Sequence, residues 1–154
     1  MNFGKRFCNH CGRLYEGKRC SCRRDSNNER SRKYHDSFYN SPAWVSLSRF
    51  IRIRDFNTDR LALYFRRVGR PTHGIGINIY DFVVDATTGE IRRFPGVLVV
   101  HHIVPREDDK NLQYTENNLI TLNTHVHEYI HQLYGTNKEE VQNILREAVK
   151  TELP

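Results

Sequence analysis

The chain carries eight histidines and four cysteines, and the spacing of a few of them suggests metal chemistry. His127 and His131 lie in the stretch Thr124-His125-Val126-His127-Glu128-Tyr129-Ile130-His131, which has helical periodicity. On a helix, residues i and i+4 project from one face about a turn apart, which suits two ligands to one ion. A surface pair with no role is the bland alternative, and this spacing alone does not exclude it. His101 and His102 close the apolar run Val97-Leu98-Val99-Val100. Successive strand residues face opposite sides. One of the two can therefore reach a metal while the other faces elsewhere, unless the strand has already passed into a loop. Neutral imidazole ligates borderline divalent ions and accepts a proton near neutral pH.

The four cysteines, Cys8, Cys11, Cys20 and Cys22, form a cluster near the N-terminus. That end has no apolar h-region, so no secretory signal is expected and the protein is expected to work in the cytoplasm of whatever cell makes it. Disulfides seldom persist there, which makes metal the better reading of the thiols. A two-residue gap lets one tight turn present Cys8 and Cys11 to a tetrahedral Zn²⁺. The one-residue gap between Cys20 and Cys22 is less usual but occurs in zinc knuckles. A closed site of four thiolates has no open position, so its expected role is structural, and His10 reads as a solvated loop residue. Unrelated thiols are the alternative.

These groups need elements to position them. Ser41-Pro42 reads as an N-cap and first helical residue, opening an amphipathic helix over about 42–55. Its stripe is Ala43, Trp44, Leu47, Phe50, Ile51 and Arg54, and Trp44 is expected to pack rather than stack on a base. A second helix runs from Thr58 to about Val68, stopped by Gly69-Arg70-Pro71. Gly76 to Val84 has strand character, and a turn at Thr88-Gly89 would return Glu90–Phe94 as a hairpin. Leu119–Leu122 reads as a short strand. Thr124–Tyr134 reads as a helix ended by Gly135, and a last helix covers about Lys138–Thr151. Thr136 and Glu139 have capping-box spacing at its start.

Here the residues take on a family likeness. The segment VVHHIVP, followed by Asn118-Leu119 and then His127, resembles the HNH, or ββα-metal (His-Me finger), endonucleases in identity, order and spacing. The ending HEYIH resembles the colicin-type DNases, and FYNSPAWVSLSRFIRIRD resembles the helix before the HNH core of small phage enzymes. The likeness is specific over 97–134 and weak over 34–68. It implies an α+β fold with a ββα-metal core, here with flanking helices, the added hairpin and the zinc-knuckle-like module. The chain then divides into the four-cysteine zinc module, read from its spacing, and a basic linker over 1–33, and the nuclease domain over 34–154 with its core at about 97–134. The likeness assigns His101, His127 and His131 as metal ligands, His102 as the general base and Asn118 as the amide that braces the loop and orients His102. The implied cofactor is one divalent ion (Mg²⁺, Mn²⁺, Ni²⁺ or Zn²⁺) beside the structural Zn²⁺. The implied activity is metal-dependent hydrolysis of DNA phosphodiester bonds, nicking or double-strand cutting, leaving 5′-phosphate and 3′-hydroxyl ends. Homing, packaging and restriction roles all remain open. The chain departs from the family at Asn123 and Val126, where many members carry zinc-binding cysteines. It departs again at Val100, where a polar residue is common.

Charge agrees with a polyanionic partner. Residues 1–70 hold 17 Lys/Arg against 6 Asp/Glu, while 71–154 hold 7 against 12. Neutralising phosphates and releasing counterions would fall to Arg23, Arg24, Arg30, Arg32, Lys33, Arg49, Arg52 and Arg54. A solvated basic face is the bland alternative. Arg106 stands equally well as a phosphate contact or a solvated loop residue, and His35, His73 and His125 read as bystanders. No apolar run approaches the roughly 18 residues a membrane span needs, and no organic cofactor is expected. The competing readings are a zinc-containing DNA-binding protein with an inactive HNH core and an RNA-directed nuclease. Supercoiled plasmid surviving every metal would favour the first, and offering both nucleic acids tests the second.

Overall fold

A computed structural model of the chain describes residues 6–7, 14–16, 20–21 and 37–152. The chain divides into two compact units, 1–45 and 46–154.

In the first unit, strands β1 (Arg6–Phe7) and β2 (Leu14–Tyr15) pair antiparallel, Arg6 opposite Tyr15 and Phe7 opposite Leu14. Cys20 is buried. Cys8, Cys11 and Cys22 lie outside the described residues, as do Arg23, Arg24, Arg30, Arg32 and Lys33. Trp44 is buried, its ring 5.0 Å from Phe38 and 5.5 Å from Tyr39. Helix α1 (Pro42–Arg54) runs from this unit into the second. It starts as the sequence predicts, the Ser41 hydroxyl accepting the Trp44 N–H at 3.2 Å.

Its buried positions are Trp44, Ser48 and Ile51, whereas Phe50 and Ile53 are exposed. The inward stripe is therefore narrower than the apolar pattern predicts. Helix α2 (Arg60–Val68) is capped by Asp59, whose carboxylate accepts the Ala62 N–H at 3.0 Å. Gly69 ends it at φ 79°, a backbone region that costs glycine nothing.

The segment expected to form a strand is helix α3 (Ile75–Val83), and the expected hairpin is reduced to a single bridge between Val84 and Ile91. Ile75, Ile79 and Val83 are buried on one helical face. Their four-residue spacing serves a helix packed on a core, and tertiary burial overrides the β preference of branched residues. The Glu140 carboxylate also accepts the Ile75 N–H at 2.7 Å and so caps the helix start from a distance.

Strands β3 (Leu98–His102) and β4 (Leu119–Asn123) form an antiparallel pair with His101 opposite Ile120 and His102 opposite Leu119. Helix α4 (Thr124–Lys150) follows at once, capped by the Asn123 side chain. Gly135 does not end it. The break falls at Asn137 (φ −133°, ψ 36°), and the helix resumes beyond. No Thr136–Glu139 capping box forms, because the Thr136 hydroxyl bonds Asn137 Oδ1 at 2.8 Å instead. Ile103, Ile120, Leu122, Val126, Ile130, Val141 and Leu145 join α2 and α3 residues in one apolar cluster.

The outer edge of β4 is covered by side chains rather than by a third strand. Arg54 donates to Leu119 O at 2.8 Å, Asp55 accepts the Thr121 N–H at 2.8 Å and Asp59 accepts the Asn123 N–H at 2.7 Å. One outward backbone group of every second residue on that edge thus has a side-chain partner, which disfavours pairing with another chain. Arg54 also donates twice to Asp55 and once to Glu116 O. Arg60 completes the network, reaching the carbonyls of Ala148, Val149 and Thr151 at the end of α4. Burial raises the Asp59 carboxyl to about 6, against the opposing pull of its backbone N–H donors.

Candidate metal centre

Three imidazoles from two elements meet at one point. His101 comes from β3, while His127 and His131 sit on the first turns of α4. Their potential ligand atoms all lie within 4.8 Å of one another. The rings of His101 and His127 are centred 5.1 Å apart, those of His101 and His131 5.0 Å, and those of His127 and His131 4.4 Å. His127 Nε2 and His131 Nε2 are 3.1 Å apart. Two nitrogens on one ion at about 2.1 Å stand about 3.0 Å apart in cis octahedral geometry and about 3.4 Å apart in tetrahedral geometry. The observed separation falls between these, so the three histidines form a group able to hold a metal ion.

His101 is buried, His127 half-buried and His131 exposed, so the group opens to solvent on the helix side. Burial holds the His101 pKa well below its ordinary value, and the neighbouring His127, His131 and His102 push in the same direction. His101 is therefore neutral at pH 7, as a ligand must be.

His102 is the next residue of β3. Its Nε2 lies 3.0 Å from the carbonyl oxygen of Gln113. A carbonyl only accepts, so Nε2 carries the hydrogen in this bond and Nδ1 is the basic nitrogen. Burial lowers the His102 pKa, partly offset by the Gln113 contact. The neutral base form therefore dominates at pH 7.

Asn118 closes the 103–118 loop. It is buried, its Oδ1 accepts from Val104 N at 2.8 Å, and its Nδ2 donates to Val104 O at 3.1 Å and Leu112 O at 3.3 Å. These bonds tie the two ends of the loop together. Asn118 reaches His102 only indirectly, because the residue that holds the imidazole is Gln113, next along the chain from Leu112.

Of the three described cations expected to meet phosphate, Arg49 is exposed on α1 and Arg52 bonds Ser48 O within the same helix. Arg54 differs. Its side chain is 22% exposed and its donors serve Asp55, Glu116 and Leu119. The physical reason is Asp55, fully buried and in need of a cation. Arg106 is half-buried, its Nε directed at Gln113 Oε1 at 3.4 Å. His125 is exposed with its ring stacked on Phe94, and His73 is exposed beside Thr72.

Sequence reasoning missed Gln113 and Tyr134. The Tyr134 hydroxyl lies 3.0 Å from His101 Nε2 and donates to Ile103 O at 2.7 Å. Its signal was present, since His127, His131 and Tyr134 stand at i, i+4 and i+7 on one helical face. Gln113 had none, because it acts through a backbone carbonyl.

No helix among the described residues is long and apolar enough to cross a membrane. No family model, curated protein or solved structure matches the chain.

Proposed function

We propose that the protein is a metal-dependent endonuclease of the HNH type, hydrolysing DNA phosphodiester bonds to 5′-phosphate and 3′-hydroxyl ends. The observation that carries this reading is the convergence of His101, His127 and His131 beside a separately held imidazole, His102. A structural metal site needs only the first three. The fourth, neutral and aimed by a carbonyl, is what a hydrolase adds.

A donor set of three imidazoles suits Zn²⁺, Ni²⁺ or Mn²⁺ better than Mg²⁺, which prefers oxygen ligands. When bound, the ion supplies stabilisation of the charge that builds on the phosphate and the leaving 3′ oxygen. The chain's own part is to place the base. His102 Nδ1 takes a proton from the attacking water as its oxygen bonds phosphorus, and the Gln113 carbonyl steadies the imidazolium that results. The P–O3′ bond breaks and the 3′ oxygen is protonated from solvent. Arg49 and the basic N-terminal segment supply sequence-independent attraction to phosphates.

The test is supercoiled plasmid incubated with protein and each of Mg²⁺, Mn²⁺, Ni²⁺ and Zn²⁺, with His102→Ala in parallel. Nicked or linear plasmid is expected from the wild type. His102→Ala should lose about 10²–10⁴-fold in rate, the usual share of a general base. Intact plasmid under every ion would leave a DNA-binding protein with a silent core, and wild-type rates from His102→Ala would remove His102 from the mechanism.

A further inference from the structure

The end of strand β3 leaves one backbone group in need of a partner. In an antiparallel ladder, a hydrogen-bonded pair exchanges both N–H···O bonds. Ile103 donates to Asn118 O at 2.8 Å, but the Asn118 N–H turns away to Thr115 O at 2.9 Å as the chain enters a 3-10 turn over Glu116–Asn118. The Ile103 carbonyl therefore loses its ladder donor, and Ile103 is fully buried. Tyr134 fills the place, its hydroxyl donating to Ile103 O at 2.7 Å.

That donation has a consequence for the metal centre. A tyrosine hydroxyl has one hydrogen. With it committed to Ile103 O, the contact of 3.0 Å between Tyr134 OH and His101 Nε2 holds only if the imidazole nitrogen is the donor. His101 Nε2 is then protonated, and Nδ1 carries the lone pair. We propose that Tyr134 is a positioning residue that locks His101 in its Nε2–H tautomer and so presents Nδ1 to the metal, coupling the centre to the end of the β3 ladder. The proposal rests on the metal-centre reading above and extends it to a residue outside the ligand set.

The chain of donors runs in one direction, from His101 Nε2–H through the Tyr134 hydroxyl to the Ile103 carbonyl. The ring of Tyr134 also packs beside His101 and His131, with centroids 5.6 Å and 5.8 Å away. Fixing the ring orientation and tautomer of a ligating histidine is what outer partners of metal ligands do, and losing one costs about 10–100-fold in metal affinity.

The experiment uses the full chain labelled with ¹⁵N-histidine. Long-range ¹H–¹⁵N correlations on the metal-free wild type, with His101→Gln for assignment, should show His101 as the Nε2–H tautomer at neutral pH. An Nδ1–H tautomer would overturn the proposal, and this reading needs no Tyr134 variant to fold. Zn²⁺ is then titrated at concentrations set by a chelator and followed at the rings of His101, His127 and His131. Ion taken up by cysteines does not enter that readout. Tyr134→Phe keeps the ring and removes the hydroxyl. It should weaken Zn²⁺ about 10–100-fold and let His101 populate both tautomers. If the wild type binds and Tyr134→Phe matches it within twofold with an unchanged tautomer, the relay falls and the metal centre stands. If the wild type takes up no ion at these rings, the metal centre falls and the relay's purpose with it.

Discussion

Replacing Asn118 with alanine tests the brace of the 103–118 loop without touching any proposed metal ligand. The change deletes three hydrogen bonds, from Val104 N and to the carbonyls of Val104 and Leu112. Each such bond contributes about 1 kcal/mol net. The longest, at 3.3 Å, is the weakest, so the expected loss is about 2–3 kcal/mol. In a domain of this size that lowers Tm by roughly 5–10 °C. Urea unfolding at pH 7.5 measures it directly, with unchanged m reporting an unchanged unfolded state. His101 sits on β3 and His127 and His131 on α4, so ion affinity should move little. His102 depends on Gln113, inside the braced loop, so cleavage should fall further than ion binding. Asn118→Asp sharpens the test. Its ionised form keeps an acceptor for Val104 N but sets a second acceptor against two carbonyls, which favours the neutral acid in the folded state. A carboxyl raised above its unfolded value of about 3.9 brings a penalty that grows as pH rises through that value and is relieved on acidification. Asn118→Asp should therefore regain stability relative to wild type as pH falls toward 4. A loss under about 0.5 kcal/mol for Asn118→Ala, the range of an ordinary surface change, would refute the brace.

Arg54→Met should cost about 1.5–3 kcal/mol in urea unfolding, because it removes two charge-assisted hydrogen bonds from the fully buried Asp55 carboxylate, which keeps Arg60 at 3.8 Å and the Thr121 N–H. A cost below 1 kcal/mol would return Arg54 to the phosphate-binding surface. His127→Ala should weaken Zn²⁺ by more than the 100-fold that an outer partner is worth, read at the remaining His101 and His131 resonances. Acid should destabilise the metal-free fold. Burial lowers the pKa of both His101 and His102. Their contribution is thus present above the unfolded pKa of about 6.5 and lost as pH falls through it, by at most about 0.8 kcal/mol per ring between pH 7.5 and 6. Asp59, raised to about 6, acts in the opposite sense, its penalty already relieved by about RT ln 2, or about 0.4 kcal/mol, at pH 6, so the measured slope is the histidine loss less that amount. Thermal melts at pH 7.5 and 6 check the slope, and a flat profile would contradict it.

Side-chain chemistry at regular spacing was legible before any coordinates. The pair at 127 and 131, the His101–His102 strand end, the N-cap at Ser41 and the stop at Gly69 all follow from local rules of one helix or one strand. The helix at Ile75–Val83 was misread because branched residues carry a strand preference of their own. The packing face they share, every fourth residue, becomes decisive only when α4 offers a surface to bury against. Arg54 was misread for a similar reason, since its charge is a property of the residue but its direction is set by Asp55.

The sequence by itself determined which imidazoles exist and which of them share a helical face. It could not determine that His101 meets them, since that depends on the β3–β4 register carrying one strand end to the first turns of α4. It was equally silent on the tautomers. Those are decided by the Gln113 carbonyl and by the Tyr134 hydroxyl held on Ile103 O, and a backbone carbonyl has no residue type to read. Its partner exists only once the ladder stops at Asn118 and the chain has closed around it.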